Sequence, residues 1–169
     1  MKRYFVLYAA TAIALMATAC NQMPETHDAD VKAIQDNEVQ WNQDYASKDV
    51  DKITAHYTDD AVLMAPGMSA TAGKDAIRNL GKHLFSDPAM SLKFHASRVE
   101  VAKSGDLAYT QGSYTMTMTD PQTKQVMNDH GSYVTTYRKQ QDGTWKAVAD
   151  IATSEVPPPA PPATQMMKQ

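Results

Sequence analysis

The sequence predicts an α+β domain, with helices first and an antiparallel sheet after them. Three observations predict it. Apolar residues recur at three- and four-residue steps up to about residue 85. From residue 91 the pattern changes to extended segments. Short turn-forming clusters separate those segments, and short connections join antiparallel neighbours.

Val31, Ile34, Trp41 and Tyr45 share one face of a helix from about Asp28 to Ser47. A second helix starts at the N-cap candidate Asp49 and places Val50, Ile53 and Tyr57 on its inner face. Ala61-Val62-Leu63-Met64 is a short strand, stopped by Ala65-Pro66-Gly67. A third helix covers about Lys74 to Phe85, with Ile77, Leu80 and Leu84 in step and Pro88 beyond its end. Four extended segments follow, at about 91–103, 107–119, 126–139 and 144–153. Ser104-Gly105-Asp106, Asp120-Pro121-Gln122 and Gln141-Asp142-Gly143 turn the chain between them. Gly112 and Gly131 fall inside strand patterns, where glycine marks a bulge or bend. A long sheet bent at such points can wrap around its helices.

These patterns occupy residues 28–155. Ahead of them, residues 1–19 hold Lys2, Arg3, no acid and an apolar run from Tyr4. That run of about 16 residues is shorter than the roughly 20 of a membrane span, and reads as a secretory signal peptide. It ends in Met16-Ala17-Thr18-Ala19-Cys20. Small residues before a lone cysteine resemble the lipobox of bacterial lipoproteins. The resemblance implies cleavage before Cys20, lipidation of its sulfur, and contact with the membrane through that anchor only. Asn21 after the cysteine, by similarity to Gram-negative sorting, implies the periplasmic face of the outer membrane. Residues 20–27 then form the lipidated cysteine and a tether. Residues 156–169 open on Val156-Pro157-Pro158-Pro159 and read as a disordered tail.

Composition excludes several function classes. The 16 basic residues fall to 14 without Lys2 and Arg3, against 19 acids, so the mature chain sits near −5. Such a chain has no broad basic surface for nucleic acid. At 43% hydrophobic residues it builds a core, and its single cysteine excludes an internal disulfide. No Gly-rich phosphate loop, Cys-x-x-Cys pair or nucleophile elbow is present. His56, Asp59 and Asp60 lack a second histidine at fixed spacing, and Asp129-His130 reads as a strand-start pair. Neither a metal nor a cofactor is expected.

Four stretches resemble the nuclear transport factor 2-like superfamily, closest to the subgroup called domain of unknown function 4440. They are Tyr57-Thr58-Asp59-Asp60-Ala61-Val62-Leu63, Gly73-Lys74-Asp75-Ala76-Ile77-Arg78, Ser104-Gly105-Asp106-Leu107-Ala108-Tyr109, and Asp142-Gly143-Thr144-Trp145-Lys146 leading to Asp150-Ile151. The superfamily includes SnoaL-like cyclases and ketosteroid isomerases. The resemblance implies a cone-shaped fold, three N-terminal helices packed on a curved antiparallel sheet. It also implies a pocket inside the cone and a homodimer through the outer face of the sheet. The isomerases' base immediately precedes a proline, and the matching position here is Ala65 before Pro66. Their tyrosine donor falls on Trp41. Both replacements remove isomerase chemistry.

Two acids remain as candidate bases. Glu38 lies within the apolar face of the first helix, either facing a pocket or paired as a structural carboxylate. Asp150 lies in the last strand, where Trp145, Ala147, Ala149 and Ile151 alternate with Lys146, Val148, Asp150 and Ala152. Neither face of that strand is plainly the wet one. Trp41, Tyr45, Tyr57, Met64, Tyr114 and Tyr133 converge on the cone interior, as ligand wall or as ordinary core, and His95 lies in a strand with either face open to it. The expected function is a lipid-anchored envelope protein binding a small apolar or aromatic ligand. The alternatives are an isomerase, dehydratase or cyclase using Glu38 or Asp150, and a purely structural dimerisation module with a packed interior.

Overall fold

The computed structural model describes residues 24–157. The signal segment, Cys20 and most of the proline-rich tail lie outside the described residues. Three helices, α1 (Pro24–Ser47), α2 (Val50–Ala55) and α3 (Lys74–Leu84), pack on one six-stranded sheet. The strands are β1 (Tyr57–Met64), β2 (Thr71–Ala72), β3 (Ser91–Val101), β4 (Leu107–Thr119), β5 (Val126–Lys139) and β6 (Trp145–Ser154). Their order is β2-β1-β6-β5-β4-β3. The sheet is antiparallel except between β1 and β6, which run parallel. This is the expected α+β architecture, helices against a curved, open sheet.

Several boundaries differ from the sequence reading. α1 begins at Pro24, four residues before Asp28. Proline suits the first helical turn because its missing N–H has no intrahelical acceptor there. Asp49 caps α2 as expected, its carboxylate accepting from the Lys52 backbone N–H at 3.1 Å. The helix stops at Ala55, however, and Tyr57 opens β1 opposite Ala147. Tyr57 stands one helical turn beyond Ile53, so local pattern alone cannot separate the two placements. Pairing with β6 decides it. β2 has two residues and too little pattern to be read from sequence. No helix among the described residues is long and apolar enough to cross a membrane.

The two strand glycines are explained by close backbone approach. A Cβ on Gly112 would stand 2.0 Å from the His95 carbonyl oxygen, and one on Gly131 would stand 1.9 Å from that of Thr153. Gly112 faces a bulge in β3, where Ser97 is the extra residue between Ala96 and Arg98. A second bulge bends β6. Tyr137 pairs with Ala147 but Thr136 pairs with Ala149, leaving Val148 over. Before the bulge Trp145 and Ala147 face the helices; after it Asp150 and Ala152 do. One extra residue thus reverses the faces of the strand, which is why simple alternation showed no dry side.

The core fills the end of the cone where α1, α2 and β1 meet the starts of β4 and β6. Ile34, Trp41, Ile53, Tyr57, Tyr137, Trp145 and Ala147 are all buried there. Asp30 of α1 pins this end, accepting from Lys139 Nζ at 2.6 Å and from Trp145 Nε1 at 3.2 Å.

Candidate ligand-binding cavity

Beyond that core the helices and sheet diverge and enclose a cavity of about 510 Å³. Trp41 and Tyr45 of α1, Ile53 and Thr54 of α2, and Leu80 and Leu84 of α3 form its helical wall. Phe94, Tyr114, Tyr133, Thr135, Asp150 and Ala152 form the sheet wall. The exposed side chains of Met68 and Met127 also line it and mark the end open to solvent. Aromatic rings run continuously around the closed end. Trp41 meets Tyr57 edge-on at 5.0 Å and Phe94 at 5.8 Å, and Phe94 meets Tyr133 at 5.6 Å. Such offset pairs hold their geometry and keep the wall rigid.

Polar groups enter this wall as carboxylates ringed by hydroxyls. The Tyr57 hydroxyl donates to Asp150 Oδ2 at 2.7 Å and the Thr135 hydroxyl to Oδ1 at 3.0 Å. Burial pushes the Asp150 carboxyl above the ordinary carboxylate value, against the lowering effect of those two donors. Nearer the open end, Tyr114 donates to Asp129 Oδ2 at 2.7 Å and Ser154 to Oδ1 at 2.5 Å. Burial first, then the charge of the neighbouring carboxylate for Tyr57 and Tyr133 and the hydrogen bond to Asp129 for Tyr114, push these phenols up, so each remains a hydrogen-bond donor at neutral pH.

Of the residues singled out from sequence, Trp41, Tyr45, Tyr57, Tyr114, Tyr133 and Asp150 line this one cavity. Met64, His95 and Glu38 do not. Met64 pairs with Ile151, whose side chain is exposed on the outer face, while Leu63 pairs with Asp150 and lines the cavity instead. His95 is exposed, whereas Phe94 beside it pairs with Tyr114 and faces inward. Both corrections follow from strand parity. Glu38 sits behind the wall. It is 4% exposed and accepts from Thr110 and Tyr137 at Oε1, both at 2.7 Å, and from Tyr133 at Oε2, at 2.8 Å. A carboxylate so occupied and shielded ties α1 to β4 and β5.

Sequence reasoning passed over Phe94, Met116, Met118 and Met127 and read Asp129 as part of a strand-start pair; all five line the cavity, and Asp129 lies inside β5. Counting back from Tyr133 in steps of two gives Gly131, Asp129 and Met127, and counting on from Tyr114 gives Met116 and Met118. That two-residue period was the available signal.

His56 is a packing residue. It stacks on Trp41 at 4.9 Å, with Nε2 2.8 Å from Asp44 Oδ2 and Nδ1 2.7 Å from the Asn37 amide. Burial pushes its pKa down. The neutral ring then gives its single N–H to Asp44 and accepts at Nδ1. That requires the Asn37 NH₂ to face it, and gives the otherwise unpartnered Asn37 Nδ2 an acceptor. Among the described residues no group of three or more His, Cys, Asp or Glu side chains stands close enough to hold a metal ion.

Comparison with known proteins agrees with this architecture. The SnoaL-like domain family matches residues 39–148, more than half of the chain. A ketosteroid isomerase-like protein from Erwinia carotovora atroseptica superposes with a TM-score of 0.66 at 24% identity, covering 76% of this chain and 98% of its own. A nuclear transport factor 2-like protein with a cystatin-like fold from Novosphingobium aromaticivorans gives 0.61 at 17% identity, covering 83% and 90%. A nuclear transport factor 2-like superfamily protein from Salmonella enterica gives 0.63 at 11% identity, covering 77% and 94%. Identities this low speak for the fold alone. Comparison with curated proteins finds no match. With the family match spanning most of the domain, the chain belongs to the SnoaL-like domain family, and its fold is the one seen in nuclear transport factor 2-like proteins.

Proposed function

We propose that this domain binds a small, mainly apolar or aromatic molecule inside its cone. The cavity carries the reading. A module serving only to dimerise has no use for about 510 Å³ of space walled by rings, and protein interiors otherwise pack to crystal density. Thermal shift across a small-molecule library tests it. A true ligand at about a hundred times its Kd stabilises the fold by about 2.7 kcal/mol. Trp41→Ala and Tyr133→Ala, which strip the wall, reduce that gain. A library in which nothing stabilises wild type more than these variants overturns the reading.

A second reading, an enzyme using Asp150 as general base, is favoured by one observation. Asp150 lines the cavity, its carboxyl is held above the usual range, and the Tyr57 phenol donates to it. Ala65 also lines the cavity and supplies no carboxylate there. Deuterium exchange into a small ketone, present in wild type and absent in Asp150→Asn, supports an enzyme. No exchange in wild type leaves binding alone.

The lipobox-like Ala17-Thr18-Ala19-Cys20 supports attachment at Cys20 on the periplasmic face of an outer membrane. Cys20→Ala then moves the protein from the membrane to the soluble fraction. A second copy of the chain is the proposed partner for the sheet's outer face.

A further inference from the structure

Among the described residues, acids line the cavity and no base does. Asp129 and Asp150 are in its wall, while lysine, arginine and histidine are all missing from it. Two other buried carboxylates have nitrogen partners. Asp30 has the Lys139 ammonium, and Asp44 has His56 and Gln40. Asp129, Asp150 and the shielded Glu38 take part in no ion pair among the described residues, and hydroxyls alone satisfy them. Buried charge without a counter-charge is costly, and proteins pair it. The two hydroxyls on Asp150 use about half of the roughly four acceptor positions of a carboxylate. The rest of the wall is aromatic, and the faces of such rings attract cations.

An independent observation points to a guest. Trp41 is 2% exposed and lines the cavity, yet its indole N–H has no acceptor among the described residues. A buried donor left unmade costs about 1–3 kcal/mol; an acceptor on a guest's body, not an ammonium head, would relieve it, so this speaks for a guest and the carboxylates speak for its charge.

We infer that the ligand is an organic cation, an amine or quaternary ammonium on an apolar, ring-bearing body, with its charged head at Asp150. The inference rests on the cavity being a binding site. It restricts the substrate class: carboxylates and phosphate-bearing molecules meet two acids and no base.

Calorimetric titration of the full chain at neutral pH with biphenylmethylamine, biphenylmethanol and biphenylcarboxylate tests it, since the three share one apolar body. The amine binds about tenfold tighter than the alcohol, or better, and the carboxylate is rejected. Asp150→Asn abolishes the preference for amine over alcohol, and circular dichroism of the variant reports that it is folded. The wild-type series decides the charge preference without any variant. Equal binding of amine and alcohol overturns the cationic ligand but leaves the binding cavity standing. Failure of all three probes overturns both. A preference that survives Asp150→Asn and vanishes in Asp129→Asn overturns the placement of the head.

Discussion

At the scale of the residue, Glu38 and Asp150 illustrate how alike two acids look in sequence and how differently they are placed. Both positions were legible as acids in apolar patterns, and their roles were not. What separates them is which hydroxyls arrive from distant strands, and no local pattern encodes that. Glu38 holds three donors from β4 and β5. Glu38→Ala strands all three and opens a void, so it should lower unfolding free energy by about 3 kcal/mol or more. Glu38→Gln keeps the volume and one acceptor and should cost less. Urea unfolding of both variants checks this, and an alanine loss below about 1 kcal/mol would remove the anchoring role. Asp150 makes a different prediction. Its folded pKa lies above the ordinary 3.8, the reverse of an ion-paired carboxylate. The folded state therefore holds the proton more tightly than the unfolded chain. Below the ordinary value both states are protonated and Asp150 adds no pH dependence. As pH rises toward the folded pKa the unfolded chain ionises first, and stability falls. Asp150→Asn lacks this slope. Its urea midpoint relative to wild type should improve from about pH 4 toward neutrality, and a difference that stays flat or reverses contradicts the burial argument.

At the scale of the element, turns and caps were the legible part. β4 and β5 run over the residues expected, and β3 and β6 end within two residues of expectation. Ser104-Gly105-Asp106 and Gln141-Asp142-Gly143 carry the reason, with Gly105 and Gly143 at φ of 71° and 83°. Only glycine takes that region freely. The β3 bulge was marked by Gly112 opposite it, but the β6 bulge was illegible, because a single extra residue leaves no mark on composition. Val148 is one such residue, and it alone turns Asp150 inward. The glycines opposite tight backbone offer a test of how rigid this bent sheet is. Gly112→Ala and Gly131→Ala each force a methyl to within about 2 Å of a carbonyl oxygen. The obstruction is backbone rather than a flexible side chain, so each should cost about 3 kcal/mol or more. Thermal melts report it. A variant that melts with wild type would mean the strands there part easily.

At the scale of the whole molecule, the two faces of the sheet differ in character. Along β5, Tyr133 and Thr135 face the cavity, while Val134 and Thr136 face outward. The register aligns two rows on the outer face: Val62, Ala149, Thr136 and Tyr109, then Met64, Ile151, Val134 and Gln111. Val134 is 40% and Ile151 38% exposed in the single chain. The Arg98–Glu100 ion pair on β3 borders these rows. An apolar centre with a charged edge is the usual anatomy of an interface, and a two-fold axis through the patch would set Val134 and Ile151 against their own copies. Val134→Arg then brings two like charges together at the axis and should convert a dimer to a monomer in light scattering coupled to size exclusion. Val134 is exposed within one protomer, so its own fold should survive in circular dichroism. A wild type that runs as a monomer at micromolar concentration, or a variant that stays dimeric, would move the partner to another surface. Tyr133 and Val134 are adjacent but point oppositely, so the monomeric variant should keep its ligand-induced stabilisation. Loss of that stabilisation together with the dimer would show that the partner's support keeps the sheet bowed around the cavity.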